Sequence, residues 1–272
     1  MPCGKKPRMK RHQQNRLPDM LSRRILILAA HPDDEVVACC AAIGRAQQQG
    51  AKVFVLYLTN GCIARETLWP WQRRHYDANV ARRRSEAEQA VKLLDITTAG
   101  WSSRPARHLW RNLPDVLAEA QQAIAAHQID QLWVPAYEGG NADHDGLNAA
   151  GKALASQVTV LEFAEYNFFG GKALSQEFST PNGTEQTLIL TSEDQAKKRA
   201  VLKTYKSEKC NLNYVRIERE CYRPLAAYDY SCPPHPGKLW YARFQWVPFR
   251  HPRVDFTKPE EVSAAIVLFL RK

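Results

Sequence analysis

No apolar run in this 272-residue chain approaches the ~18–20 residues that span a bilayer. Its basic start leads through a short apolar stretch into His31, not to a small-residue cleavage site, so neither a signal peptide nor a membrane anchor is read there. The seven cysteines are irregularly spaced and contain no C-x-x-C pair, which argues against a disulfide scaffold and a cysteine zinc site. Adjacent Cys39 and Cys40 fall in a predicted helix and read as small packing residues. An odd cysteine count without an export signal favours a reducing cytoplasm. Acids are scarce at the start: Asp19 stands alone against Lys5, Lys6, Arg8, Lys10, Arg11, Arg16, Arg23 and Arg24. Much of the net charge of +10 therefore sits in residues 1–21, expected to be a disordered basic tail. Such a tail allows weak contact with an anionic surface, but no nucleic-acid partner is expected.

The remainder, 44% apolar and 24% charged over the chain, suits one large α/β domain over residues 22–272. Arg24–Ala30, Lys52–Thr59, Thr97–Trp101, Gln131–Pro135 and Val158–Ala164 read as strands. Between them Glu35–Gln49, Asn79–Leu94, Leu113–His127 and a segment from about Asp145 to Ser156 read as helices. This alternation predicts a Rossmann-like, doubly wound, mostly parallel sheet in three layers. The C-terminal part is less regular. Leu188–Thr191 is a short strand candidate and Ser192–Tyr205 a capped helix. Thr257–Glu260 has capping-box spacing, and the apolar run Ala264–Leu270 suits a helix or a strand.

Chemistry is concentrated in Ala30-His31-Pro32-Asp33-Asp34-Glu35, directly after the first strand. Open α/β sheets bind ligands beyond the carboxyl ends of strands. His31 and Asp34 can reach one ion there, and His144, after a later strand and a Gly-rich turn, completes two imidazoles and a carboxylate. Zinc is expected, with Fe2+ or another divalent metal compatible. Asp33 adjoins a ligand and suits a general base and acid, whereas Glu35 suits helix initiation or ligand support. Trp69, Trp71 and Tyr137 are candidates for a substrate wall or for ordinary packing.

These motifs resemble the PIG-L/LmbE-like N-acetylglucosaminyl deacetylases. The family's A-H-P-D-D-E stands unchanged at Ala30–Glu35, and its second motif, commonly H-P-D-H, aligns with Asn141-Ala142-Asp143-His144. Arg83, Glu86, Ala90 and Leu94, then Lys197–Glu208, extend the likeness to about residues 22–210. The resemblance implies zinc on His31, Asp34 and His144, Asp33 as base, and Arg83 touching the sugar or its aglycone. An i,i+3 ion pair with Glu86 is the other reading of Arg83. Asn141 replaces a histidine that in the family polarises the carbonyl, leaving a neutral hydrogen-bond donor for the oxyanion. The implied activity is zinc-dependent N-deacetylation of an N-acetylglucosamine-type conjugate, a small-molecule partner. The alternatives are a weak or inactive metal- or sugar-binding relative, and an amidase for a larger acyl group.

Overall fold

The computed structural model describes residues 23–271. The expected basic tail lies outside them. In chain order the elements are β1 (Arg24–Ala29), α1 (Asp34–Val37), α2 (Cys40–Gln48), β2 (Lys52–Tyr57), α3 (Pro70–Arg73), α4 (Tyr76–Leu94), β3 (Thr97–Trp101), α5 (Leu113–His127) and β4 (Gln131–Pro135). There follow α6 (Ala142–Leu154), β5 (Thr159–Phe163), the two-residue strands β6 (Tyr166–Asn167) and β7 (Leu174–Ser175), β8 (Gln186–Ile189), α7 (Ser192–Leu202), β9 (Arg219–Pro224) and α8 (Pro259–Leu270).

Seven strands form one sheet in the order β3-β2-β1-β4-β5-β9-β8. The first five are mutually parallel, with Ile27 opposite Val55 on one side and Trp133 on the other. β9 runs antiparallel to β5, and β8 antiparallel to β9. β1, β2, β4 and β5 are largely apolar because both faces of the sheet are covered, whereas β3 (TTAGW) lies at the edge and is only partly buried. Ile25, Ile27 and Ala29 pack toward α2, α4 and α7; Leu26, Leu28 and Ala30 pack toward α5, α6 and α8. This is the expected three-layer, mostly parallel α/β fold. The strand order reverses between β1 and β4, which makes their carboxyl ends the switch point where such sheets hold ligands. No described helix is long and apolar enough to cross a membrane.

Several expected boundaries are corrected. The single helix over Glu35–Gln49 is two, broken at Ala38–Cys39. The break is stabilised from β9. The fully buried Glu220 carboxylate accepts from the Ala41 and Ala42 N–H groups and is paired with buried Lys198 at 2.9 Å. Gln176 donates to the Val37 carbonyl at 2.8 Å, and the Tyr222 hydroxyl donates to that of Ala38. Two N–H groups and two carbonyls at the break thus find partners. Cys39 and Cys40 flank the break and are buried packing residues. The long loop after β2 contains α3, and the next helix begins at Tyr76 rather than Asn79. α6 begins at Ala142, three residues before the expected start, because Asn141 caps it by accepting from the Asp143 N–H at 2.9 Å. The C-terminal run is a helix. Its expected capping box does not form: the N-cap is Lys258, without a side-chain cap bond.

Candidate metal centre

The β1–α1 turn closes on itself through its own side chains. The His31 N–H donates to Asp34 Oδ2 at 2.9 Å, and the Asp33 N–H donates to Glu35 Oε2 at 3.1 Å. Asp33 pays for this geometry with φ 136°, a conformation unfavourable for a non-glycine residue and typical of strained functional sites. Glu35 is fully buried and also accepts from the Tyr205 hydroxyl; burial pushes its carboxyl up to about 7.

Across the switch point, α6 presents His144. His31, Asp34 and His144 each offer a ligand atom, all within 4.8 Å of one another, and form the one such group among the described residues. His31 Nδ1 lies 3.3 Å from His144 Nε2; Asp34 Oδ1 lies 3.4 Å from His144 Nε2 and 3.8 Å from His31 Nδ1. Donors bound at about 2.0–2.2 Å around a tetrahedral ion stand about 3.3–3.6 Å apart. The three residues therefore fit a divalent metal, with the widest edge only slightly open. The donor chemistry agrees, since two imidazoles and one carboxylate make up a catalytic zinc set.

The outward nitrogens meet carboxylates, the arrangement that orients metal-bound imidazoles. His31 Nε2 lies 3.2 Å from Asp143 Oδ2, and His144 Nδ1 lies 3.8 Å from Glu165 Oε2. Asp143 is itself held by the N–H groups of Arg107 and Leu109, at 2.6 and 3.0 Å. Burial opposes charge on His31, but Asp143 and Asp34 outweigh it and take the imidazole up to about 10. Adjacent Asp33 and Asp34 behave oppositely. Burial opposes charge on Asp34 too, yet His144 and His31 hold it well below the ordinary carboxylate range. Burial pushes Asp33 up to about 8 against the pull of Arg83.

Arg83 is buried. Its guanidinium donates to the Pro32 carbonyl and to Asp33 Oδ2 at 3.3 Å and pairs with Glu208 at 3.4 Å. The i,i+3 partner Glu86 instead accepts from Ser207. Gly61 makes room for this contact: a Cβ there would stand 2.8 Å from Arg83 Nε and from Pro32 Cδ, and its φ is +73°. Asn141 flanks the centre. Its Oδ1 is the helix cap, and its side chain is hydrogen-bonded to the Tyr166 hydroxyl.

Of the two readings of Tyr137, Trp69 and Trp71, the structure shows packing. Tyr137 is buried, donates its hydroxyl to the Cys232 carbonyl at 2.7 Å and packs on Tyr228 and Tyr230. Trp69 and Trp71 stack on each other at 5.5 Å. The rings beside the centre are Tyr166, edge-on to His144 at 5.8 Å, and Tyr214 and Trp240 packed against it. The negative charges of Asp33 and Asp34 act on Tyr214, whose hydroxyl, pushed well up by burial first, stays protonated. Nothing in the spacing around Tyr214 signals this position, because the segment after α7 has no periodicity.

The sequence family described as GlcNAc-PI de-N-acetylase (PIG-L) matches residues 26–155. That span runs from β1 through α6 and contains all three donors. A 1D-myo-inositol 2-acetamido-2-deoxy-alpha-D-glucopyranoside deacetylase from Kineococcus radiotolerans is 26% identical over 174 residues, covering 63% of this chain and 46% of that protein. The chain thus spans less than half the length of that relative. Among solved structures, a deacetylase of teicoplanin biosynthesis superposes with TM-score 0.59 at 20% identity, over 74% of this chain and 97% of its own. A zinc-inhibited form of a teicoplanin deacetylase gives 0.55 at 17%, over the same shares. The N,N'-diacetylchitobiose deacetylase of Pyrococcus horikoshii gives 0.51 at 16%, over 74% and 83%. At these identities the structural likeness establishes the fold.

Proposed function

We propose that this chain, which carries a PIG-L family domain over residues 26–155, is a metal-dependent amide hydrolase that removes the N-acetyl group from an N-acetylglucosamine-type sugar or its conjugate. The observation that carries the reading is the convergence of the His31, Asp34 and His144 donor atoms beside a strained, charge-poor carboxyl at Asp33. A divalent ion held by these residues supplies Lewis acidity toward the amide carbonyl and makes water a nucleophile near neutral pH.

The chain's own groups divide the remaining work. Asp33 takes a proton from the attacking water and returns it to the departing amine, a task suited to a carboxyl lifted toward neutrality. Arg83 is a positioning residue, fixing the Asp33 carboxylate and limiting its upward shift. Asp143 and Glu165 orient the two imidazoles. The Tyr214 hydroxyl, for which no described side chain is a hydrogen-bond partner, and the Asn141 amide, once released from the Tyr166 hydroxyl, are the neutral donors for the developing oxyanion. The Tyr214 and Trp240 rings offer the sugar a stacking wall. Zinc is the proposed ion, with Fe2+ its rival.

The test is acetate release from a panel of N-acetyl amino sugars and conjugates by protein reconstituted separately with zinc, iron and cobalt. The expected result is turnover that falls about 10²–10⁴-fold in Asp33→Ala while bound metal is unchanged. Stoichiometric metal without acetate release across the panel would leave the centre intact and overturn the deacetylase reading.

A further inference from the structure

Exposed aromatic side chains are gathered in the segment before α8. Phe244, Trp246, Phe249 and Phe256 stand in solvent within a single stretch, Trp246 at 73% exposure and Phe249 at 59%. The stretch is tied into a loop by the Gln245 amide, which donates to the Asp255 and Thr257 carbonyls at 3.0 and 2.7 Å. A chain of rings continues it: Phe249 meets His251 at 6.4 Å, His251 meets Trp69 at 6.0 Å, and Trp69 stacks on Trp71, itself 63% exposed. Between this loop and the turn before α5 lies a cavity of about 420 Å³, whose lining includes Phe249, Phe256, Arg107, Arg111 and Arg250. Arg250 is exposed at its lining, and Arg253, in the same segment, is exposed too. The acid in the loop, Asp255, is already paired with Arg107 at 3.5 Å.

Water-exposed rings interleaved with arginines suit a surface that is apolar at one depth and negative at the next. We infer that this face docks on an anionic lipid surface, with Phe249, Trp246 and Phe256 entering the headgroup boundary and Arg250 and Arg253 meeting lipid phosphates. Charge excludes the chain's own alternatives. Residues 1–22 carry Lys5, Lys6, Arg8, Lys10, Arg11 and Arg16 against Asp19 alone, so they are repelled by an arginine-rich face. A second copy would set arginine against arginine. The inference is independent of the catalytic reading.

The test is flotation of the full chain with vesicles of phosphatidylcholine alone or mixed with phosphatidylglycerol. Wild type is expected to float only with the anionic vesicles. W246A/F249A/F256A should bind about tenfold more weakly or worse, with an unchanged thermal midpoint because the rings are exposed. R250Q/R253Q should lose much of the preference for phosphatidylglycerol. The tail variant K5Q/K6Q/R8Q/K10Q/R11Q should stay within about threefold of wild type, since screened charges outside the docking face add little. No flotation of wild type would overturn the inference. So would loss of binding in the tail variant with retention in the ring variant, or capture by a single-stranded oligonucleotide while vesicles are ignored.

Discussion

The two turns that supply the metal donors lie side by side at the ends of β1 and β4 but are built in opposite ways. The β1–α1 turn is local: its side chains satisfy its own N–H groups, and it holds Asp33 at φ 136°. The β4–α6 turn is a capped helix start in which Asp143 serves distant segments and Asp145 serves the turn itself. Asp143 holds His31 and the Arg107 and Leu109 N–H groups; Asp145 accepts from the Glu138 and Gly139 N–H groups. Gly140 lets this second turn approach, since a Cβ there would lie 2.2 Å from the Tyr166 carbonyl oxygen. The difference teaches that an acid in a motif takes its task from the donors that surround it. Asp33 has one guanidinium nearby, while Asp143, with two N–H groups and an imidazole, is committed to holding parts in place.

The comparison breaks most visibly at the donors. Elemental analysis of purified His144→Ala should show bound metal falling from about one per chain to near zero, because two ligands do not retain a zinc-type ion; full retention would place the metal elsewhere. Asp143→Asn separates holding from binding. It should keep the metal but weaken its affinity about 10–100-fold, as loss of an imidazole's outer carboxylate does. It should also cost about 1–3 kcal/mol in chemical denaturation, because two N–H groups lose a charged acceptor. Equal affinity in a competition with a chelator would count against the orienting role.

A smaller effect is expected from Asn141→Ala, which removes the α6 cap and should lower stability by about 1 kcal/mol. A midpoint within error of wild type would show that the cap bond contributes nothing. The finest probe is pH. Burial pushes Glu138 from near 4.5 up to about 7, so the folded chain keeps a proton that the unfolded chain releases. Stability should therefore fall as pH rises from about 4.5 to about 7, with the full contribution present below that window. In Glu138→Gln the slope of denaturation free energy against pH should flatten over that window; an unchanged slope would assign it to other groups.

The parallel half of the molecule was largely legible because four of its five strands are short apolar runs and α4, α5 and α6 are long helices. β3, β4 and α5 fall where the pattern places them, residue for residue. The antiparallel half was not. β9 (RECYRP) has three charged residues in six, and two of them are buried only because partners arrive from elsewhere: Lys198 for Glu220, and Glu162 with Tyr228 for Arg223. The same strand explains the missed break between α1 and α2, since Glu220 and Tyr222 satisfy the freed backbone groups there.

By itself the sequence determined the strand-helix alternation, and with it the sheet edge where the site must lie. It also singled out His31, Asp34 and His144, whose potential ligand atoms lie within 4.8 Å of one another in the fold. The tertiary structure alone decided the rest: that Asp143 lies against His31, that Arg83 holds Asp33 rather than pairing with Glu86, and that Tyr166, with Tyr214 packed on it, stands beside His144 where Tyr137 does not. The physical reason is reach. Periodicity and capping act over about one turn of backbone, whereas a carboxylate's proton affinity and a ring's exposure depend on groups a hundred residues away in the chain.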